Sequence, residues 1–516
     1  MVLGRVVLVF AVAGAIGGCV ATTSPPAAPA SAAARYYGEI RREPVPLEAF
    51  LRRMPKGGDL HNHLSGAIYA ENLIAWATAD GLCVERASMT LKPPPCDPGK
   101  GVPALAKTLP DAKLHAALIR AFSMRDFVPD GESGHDHFFA SFDKFGAATS
   151  RRSGDMLAEA ATRAAADSVS YLELMESPGM GAARQLGAKH GWRDDFEGLH
   201  AELMRDGMAE IVAAARRDID SSEARMHALL GCAGAAPPAG CRVTIRYLAQ
   251  VIRTFPPAQV FAQTVLAFEL ARSDPRVVGL NFVAPEDDPV TLRDYDTQMR
   301  IIGFLSARYP AVGVTLHAGE LTLGLVPPED LRSHIRGAVE IAGARRIGHG
   351  VDIMYEDDPI GLLTEMARRR ILVEINLTSN DLILGVRGKA HPFETYRRYG
   401  VPVTLSTDDE GVSRIDLTHE YLRAALTYDL SYDDLKTLAR NSLEYAFLSG
   451  DSLWRATRPF APVAACAATA LGSAAPPADC RAFLAASARA RQQWRLEGDF
   501  AAFEAENRTA AQVSAR

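Results

Sequence analysis

Short apolar runs alternate with longer amphipathic stretches along most of this chain. Eight apolar runs have the length of a buried strand, and several end in a polar or acidic residue. They occupy residues 58–64, 170–175, 243–250, 277–283, 313–318, 346–351, 371–377 and 401–407. Helical periodicity lies between them, as at residues 330–342, 359–369 and 392–399. Strands that alternate with helices predict an α/β fold, a closed parallel (β/α)8 TIM barrel.

Two stretches interrupt the alternation, near residues 80–150 and 178–242. Both follow predicted strands, so we expect helical insertions on the side of the barrel where substrate walls form. After residue 415 the pattern is helical nearly to the end. The predicted organisation is a catalytic barrel domain over residues 41–460 and a helical C-terminal extension over residues 461–516.

Composition narrows the possible partners. The chain has 516 residues, 48% apolar and 23% charged, with a formal net charge of −6. These values are typical of a soluble globular protein, and the length suffices for one large domain with insertions. Lys and Arg form no cluster, so we expect a small-molecule partner and no nucleic acid. The oligomeric state stays open.

The N-terminus has the features of an export signal. Arg5 precedes an apolar run over residues 6–16, which is too short to span a bilayer, and Gly17, Gly18 and Cys19 follow. This order is typical of a lipoprotein signal peptide over residues 1–18, with Cys19 lipidated. The Pro/Ala-rich residues 19–40 then predict a tether. We expect an outer-membrane lipoprotein on the periplasmic side; the alternative is a secreted protein.

The other six cysteines agree with export, because an even number in an exported chain suggests disulfides. They lie as near neighbours in sequence, which makes local pairing the natural prediction although sequence alone leaves the connectivity open. The predicted pairs are Cys83 with Cys96, Cys232 with Cys241, and Cys466 with Cys480.

Histidines stand at the ends of two predicted strands. His61 and His63 lie two residues apart at the end of the first strand, so both side chains can face one metal ion. His317 ends the fifth strand and is a candidate third ligand, with Glu320 just beyond it. Each motif alone is a weak signal.

Two further strand ends carry candidate chemistry. His349 ends the sixth strand between two glycines, which allow the backbone to bring the imidazole close to a ligand. Asp408 and Asp409 follow the eighth strand, and adjacent carboxylates repel unless a cation or a donor occupies the site. All these residues fall at the carboxyl ends of predicted barrel strands, where barrel active sites assemble.

The combination and its order resemble the adenosine deaminase family of the amidohydrolase superfamily. The matching blocks are DLHNHLSGA, TLHAGE, RIGHGVD and LSTDDEG, within a similarity that runs from about residue 50 to about residue 450. The signal sequence, the early insertion and the cysteines are closest in layout to the secreted, growth-factor-related branch.

The resemblance implies a role for each residue. One Zn²⁺ and a water would be bound by four ligands, His61, His63, His317 and Asp408. His349 would orient the water and help take its proton beside Asp408, Glu320 would protonate purine N1, and Asp409 would hydrogen-bond N7. The expected reaction is deamination of an amino nucleoside such as adenosine.

Two substrate-binding positions depart from the family pattern. Ala284 stands where the family often has a glycine whose N–H binds purine N3. Ser65 stands where many adenosine-specific members have an acidic residue for the ribose. Adenosine, deoxyadenosine and 5′-modified relatives therefore stay open as substrates.

Three alternatives differ from this family in the residues that they need. Another barrel metallohydrolase, such as a dipeptidase or phosphotriesterase-like enzyme, usually holds two metals with a Lys or Glu at the end of the fourth strand. Residues 277–284 contain neither, which favours a single metal and leaves another mononuclear amidohydrolase as the alternative. A cytidine-type deaminase needs HxE and PCxxC patterns, which do not occur. A nucleoside-binding lipoprotein without turnover has no need of Glu320. Other histidines, at positions 135, 137 and 391, are predicted to have surface or helical roles, and Glu173 and Asp352 structural ones.

Overall fold

The computed structural model describes residues 31–514, and side chains as far as Asn507. The predicted signal peptide, Cys19 and most of the predicted tether lie outside these residues. Within the described range, no helix is both long enough and apolar enough to cross a membrane.

Eight parallel strands form one sheet whose spatial order follows the chain. They are β1 Gly57–His63, β2 Val169–Glu176, β3 Thr244–Ile252, β4 Val277–Val283, β5 Gly313–Ala318, β6 Arg346–His349, β7 Leu372–Ile375 and β8 Val403–Leu405. The first and last strands meet where His63 N–H donates to Asp408 O (3.0 Å) and Asp408 N–H donates to His61 O (2.8 Å). The predicted TIM barrel is confirmed.

The later strands are shorter than predicted. β6 ends at His349 and β8 at Leu405, whereas the predicted strands extend to residues 351 and 407. His349 has φ +68° and Asp408 has φ +61°. A left-handed residue cannot continue a strand, so β6 ends at His349, and the chain turns again at Asp408 three residues after β8.

Helices cover the outside of the barrel. The α-helices are Ala32–Ile40, Pro44–Arg53, Ala70–Ala79, Leu105–Thr108, Ala112–Ala121, Gly134–Thr149, Ser153–Ala166, Met180–His190, Phe196–Leu203, Ala209–Leu230, Pro257–Ser273, Pro289–Arg308, His334–Arg336, Pro359–Arg369, Leu377–Leu384, Phe393–Tyr399, Glu410–Ser413, Leu417–Tyr428, Tyr432–Glu444, Ala478–Ala486 and Ala488–Ser514. The helix predicted at 359–369 begins and ends as expected. The one predicted at 330–342 is wrong as a continuous helix, because it breaks into Pro328–Leu331, His334–Arg336 and Gly337–Ile341.

The tether prediction is wrong for residues 32–40, which form a helix. Ala33, Tyr37 and Ile40 are buried on one face of it, and the Tyr37 hydroxyl donates to Leu430 O (2.7 Å). The spacing of these residues by three and four places them on one stripe of a helix. The Ala-rich composition suggested a linker, but this apolar stripe docks the segment on the domain.

The C-terminal extension is not helical throughout. An antiparallel hairpin joins Trp454–Thr457 to Phe460–Pro462, a 3₁₀ helix follows at Ala464–Cys466, and α-helices resume at Ala478. Behind the hairpin lies a small separate core, composed of Leu453, Trp454, Cys466, Cys480, Leu484, Ala490 and Trp494. Its disulfide fixes the irregular chain between the hairpin and the last two helices.

The three predicted disulfides are confirmed: Cys83–Cys96, Cys232–Cys241 and Cys466–Cys480. The first closes a loop that contains a short hairpin, Cys83–Glu85 with Thr90–Lys92, inside the first insertion. Each bridge spans a short loop, with separations of 13, 9 and 14 residues.

A buried ion network fills the barrel interior below the strand ends. The Arg346 side chain is 1% exposed and donates to Glu173 Oε2 and Glu374 Oε1, each at 2.6 Å. Glu173 also accepts from the Tyr171 hydroxyl (2.7 Å) and from Phe447 N–H (2.8 Å). A buried cation needs this density of acceptors, and the network forms a rigid floor for the site above it.

Candidate active site

Three histidines and one aspartate meet at the carboxyl end of the barrel. Nε2 of His61 and of His63 lie 3.1 and 3.2 Å from Nε2 of His317. Nε2 of His61 and Nε2 of His63 each also lie 3.3 Å from Asp408 Oδ1. Strand alternation points His61 and His63 inward together, and the closing contact between β1 and β8 brings Asp408 beside them.

These separations fit a metal ion. The four separations of 3.1–3.3 Å are those of neighbouring ligand atoms that share one ion at common Zn–N and Zn–O distances of about 2.0–2.2 Å. Asp408 Oδ1 is buried and has no hydrogen-bond donor. Facing imidazole lone pairs and an unpartnered carboxylate oxygen are stable together when a cation lies between them. The cluster can therefore hold a divalent metal.

Oxygen acceptors orient all three imidazoles. His61 Nδ1 donates to Glu374 Oε2 (2.7 Å), His63 Nδ1 to Gln250 Oε1 (3.1 Å) and His317 Nδ1 to Asn281 Oδ1 (2.9 Å). With the proton held on Nδ1, each Nε2 keeps its lone pair for a metal. Such acceptors also raise the basicity of the ligand.

A second contact orients Asp408. Its Oδ2 accepts from the Ser379 hydroxyl at 2.7 Å, which leaves Oδ1 facing the histidines.

Ala284 shares the left-handed backbone conformation of Asp408 and His349, with φ +83°. Three strained non-glycine residues around one site agree with the tendency of backbone strain to concentrate where function demands geometry.

Glu320 is held by a neighbouring carboxylate. Glu286 accepts from the N–H groups of Gly319 (3.0 Å) and Glu320 (2.8 Å), and His334 Nδ1 donates to it at 2.6 Å. The His334 ring in turn stacks on Tyr295 with centroids 3.7 Å apart. The turn that carries Glu320 is therefore fixed from outside the site.

Burial sets the charge states of the catalytic candidates. Burial and the negative charges of Asp408 and Glu286 raise the pKa of Glu320 well above its usual value. Burial also lowers the pKa of His349 to about 3. Glu320 Oε1 lies 3.4 Å from His349 Nδ1. A protonated Glu320 beside a neutral His349 is the arrangement that a general acid near neutral pH requires.

A cavity of about 520 Å³ opens over these residues. The helix Gly134–Thr149 from the first insertion supplies one wall with Phe138, Phe139 and Phe142, as expected for a substrate wall. His135 Nε2 on the same helix lies 3.0 Å from Asp287 Oδ1, beyond β4. The cavity lining includes no residue from 178–242, so the second insertion does not form the substrate wall expected of it.

The predicted substrate-binding residues line this cavity together. Ser65, Ala284 and Asp409 all face it. Burial raises the pKa of Asp409 to about 7. Gly66 permits the position of the Asp409 side chain, because a Cβ built on residue 66 would lie 1.6 Å from Asp409 Oδ1.

His137 contacts Glu132 and the carbonyl oxygens of residues 120 and 123, away from the cavity lining.

The adenosine deaminase family model matches residues 106–455. That is about two thirds of the chain. The chain belongs to the adenosine deaminase family. The matched residues begin after β1 and do not include His61 and His63, which the fold brings to His317 and Asp408.

Curated relatives of this family member are bacterial adenosine deaminases. The one from Enterococcus faecalis is 34% identical over 178 residues, which is 34% of this chain and 47% of the relative. The one from Escherichia coli strain SE11 is 33% identical over 216 residues, 41% of this chain and 59% of the relative. The chain thus spans about half the length of the curated relatives it matches.

Solved structures of deaminases share the fold. The N6-methyl-AMP deaminase from Arabidopsis thaliana superposes with a TM-score of 0.52 at 21% identity, covering 78% of this chain and 94% of the other. The adenine deaminase from Arthrobacter aurescens gives 0.50 at 17% identity, covering 77% and 94%.

Sequence reasoning missed the residues that support the family site. Glu374 interrupts an apolar strand, and a carboxylate in a buried run signals a partner, although not which one. Asn281 and Gln250 are polar residues in or near the ends of predicted strands, which likewise indicates a hydrogen-bond partner without identifying it. Glu286 and His391 lie in connections and Asn380 in the short helix Leu377–Leu384, where no periodic pattern distinguishes them.

Proposed function

We propose that this chain is a hydrolytic deaminase of 6-aminopurine nucleosides, converting adenosine or a close relative to inosine or its analogue and ammonia with one Zn²⁺ per chain. The observation that carries the proposal is the close donor set of His61, His63, His317 and Asp408 beside a buried Glu320. Metal-assisted attack of water and a general acid are what hydrolysis of an amidine C–N bond needs.

The chemistry that zinc supplies when bound is Lewis acidity, which lowers the pKa of the attacking water. His349 and Asp408 would orient that water toward purine C6. Glu320 donates its proton to ring N1 as the C6–O bond forms, so negative charge does not build up on the ring. The proton taken from the water passes to the amino group, the C6–N bond breaks and ammonia leaves.

Asp409 is suited to purine N7. Nitrogen N7 has no proton and can only accept a hydrogen bond, so its partner must be a donor. With its pKa raised to about 7 by burial, the Asp409 carboxyl can carry the required proton near neutral pH. Ala284 N–H is proposed to bind N3, and Ser65 to contact the sugar.

The charge of the cavity favours nucleosides over nucleotides. Its lining contains Asp143 and Asp288 and no Lys or Arg. A 5′-phosphate would bring about two negative charges near these carboxylates without a cation to pair with, which costs binding free energy. We therefore propose a neutral 5′ group, a hydroxyl or a small uncharged substituent.

The test is turnover of adenosine and AMP, followed by ultraviolet absorbance, with purified protein before and after chelation and after zinc return. We expect adenosine to be deaminated, activity to disappear with the chelator and to return with zinc, and AMP to react much more slowly. Glu320→Gln serves as the matched control, since it should keep the metal and lose about 100-fold or more in kcat. A zinc-loaded wild type that deaminates no 6-aminopurine nucleoside contradicts the proposal.

We also propose that the protein is exported and anchored through Cys19. Three disulfides support this location, because such bridges persist in oxidising compartments. Fractionation of cells that express the wild type or Cys19→Ser tests it: the wild type should pellet with membranes and the variant should not. A wild type found only in the soluble periplasmic or external fraction contradicts the anchor.

A further inference from the structure

A line of hydrogen bonds runs from the backbone to His349. Phe393 N–H donates to His391 Nδ1 (3.1 Å), His391 Nε2 lies 3.0 Å from Asn380 Oδ1, and Asn380 Nδ2 lies 2.9 Å from His349 Nδ1. The three side chains are 0–3% exposed. Water therefore cannot substitute for any of these partners.

The backbone N–H at the start of the line sets its polarity. An amide N–H can only donate, so His391 Nδ1 accepts and the proton of a neutral His391 lies on Nε2. His391 Nε2–H must then donate to Asn380, which places the amide oxygen toward His391 and the amide NH2 toward His349. Asn380 therefore donates to His349 Nδ1, and the single proton of that imidazole lies on Nε2.

The other neighbours of His349 agree with this tautomer. Asn376 Nδ2 is 3.4 Å from both ring nitrogens and so favours neither. Glu320 Oε1 is 3.4 Å from Nδ1, and a protonated Glu320 would donate to Nδ1 as Asn380 does. The shortest polar contact of the ring remains the one with Asn380.

We propose that Asn380 and His391 are positioning residues that hold His349 as the Nε2–H tautomer. In this tautomer Nε2 of His349 can donate a hydrogen bond and has no lone pair with which to accept a proton. This inference rests on the proposed deaminase function. It also corrects the expectation from sequence that His349 helps to take the proton, and it gives His391 a role beyond a helix start.

The first test reverses the polarity of the line without changing its shape. In Asn380→Asp, a carboxylate still accepts from His391 but can no longer donate to His349, so His349 Nδ1 must carry the proton. We expect kcat to fall about 100-fold while KM and bound zinc stay close to wild type. A kcat within about threefold of wild type overturns the inference.

The second test uses rescue at His391. In His391→Gln the side-chain amide can still donate to Asn380, and we expect kcat within about tenfold of wild type. His391→Leu fills a similar volume without a donor, and we expect about a 100-fold loss in kcat. Equal losses in both variants, at equal thermal stability, would assign His391 a packing role and overturn its part in the line.

A readout independent of turnover separates this inference from the proposed function. Histidine ¹⁵N NMR distinguishes a protonated ring nitrogen from one with a lone pair, and the His349→Gln spectrum identifies the His349 signals. In full-length wild type, with and without zinc, we expect the proton on Nε2 of His349. A proton on Nδ1 overturns the inference even if the protein deaminates adenosine, whereas Nε2–H in a protein without deaminase activity leaves the tautomer assignment standing and rejects the function.

Discussion

Glu374→Gln should weaken zinc binding without touching a metal ligand. Glu374 is fully buried and accepts from His61 Nδ1 (2.7 Å) through Oε2, and from Arg346 Nε (2.6 Å) and the Thr315 hydroxyl (2.9 Å) through Oε1. A glutamine has one acceptor oxygen and one NH2 group. Because donors face both ends of the side chain, the NH2 group must meet either His61 or Arg346.

Two magnitudes follow from these contacts. Loss of an acceptor that orients a metal-bound imidazole typically lowers affinity 10- to 100-fold, or about 1.4–2.7 kcal/mol. Loss of one partner of a buried ion pair costs about 3–5 kcal/mol of folding free energy. Arg346 keeps Glu173 at 2.6 Å, so we expect a destabilisation near the lower end, about 3 kcal/mol.

Glu173→Gln is the matched control, because Glu173 pairs with the same Arg346 but does not contact a histidine of the site. Denaturant unfolding of the metal-free proteins should show similar losses of stability for both variants. Competition with a chromophoric chelator should show weaker zinc binding for Glu374→Gln alone. Wild-type zinc affinity in Glu374→Gln, or an equal loss in Glu173→Gln, would refute the reasoning.

Three further predictions test other parts of the structure. Cys466→Ser with Cys480→Ser should lower the free energy of unfolding by about 3 kcal/mol, because the bridge closes a loop with a separation of 14 residues; unchanged unfolding monitored by tryptophan fluorescence would contradict this. Burial raises the pKa of Glu356 to about 7, so its protonated form favours folding and that contribution is lost as pH rises from about 4.5 to 7. Glu356→Gln should therefore lose less stability than wild type between about pH 5 and 8, measured by denaturant unfolding at each pH; parallel curves would count against it. Gly66→Ala should displace Asp409 and raise KM for adenosine while bound zinc stays unchanged; a wild-type KM would show that Asp409 does not contact the purine.

The amino-acid sequence by itself determined the parts of this protein that depend on short separations along the chain. Alternation on a strand places His61 and His63 on one side, and glycine at position 348 allows close approach, since a Cβ there would lie 2.6 Å from His61 Cε1. The disulfides also follow, because short loops between cysteines favour local pairs. The carboxyl ends of the strands then form the active-site face, as in any parallel barrel.

Only the tertiary structure decided which residues distant in sequence contact the site residues and pack against the barrel. Glu374 lies 313 residues from His61, and the helix of residues 32–40 docks on Leu430, 393 residues from Tyr37. Asn380 and His391 have no periodic signature, so their line to His349 becomes visible only when the barrel closes. The physical reason is that hydrophobic periodicity specifies which face of an element is buried, whereas hydrogen-bond partners inside the barrel depend on how eight strands are brought together.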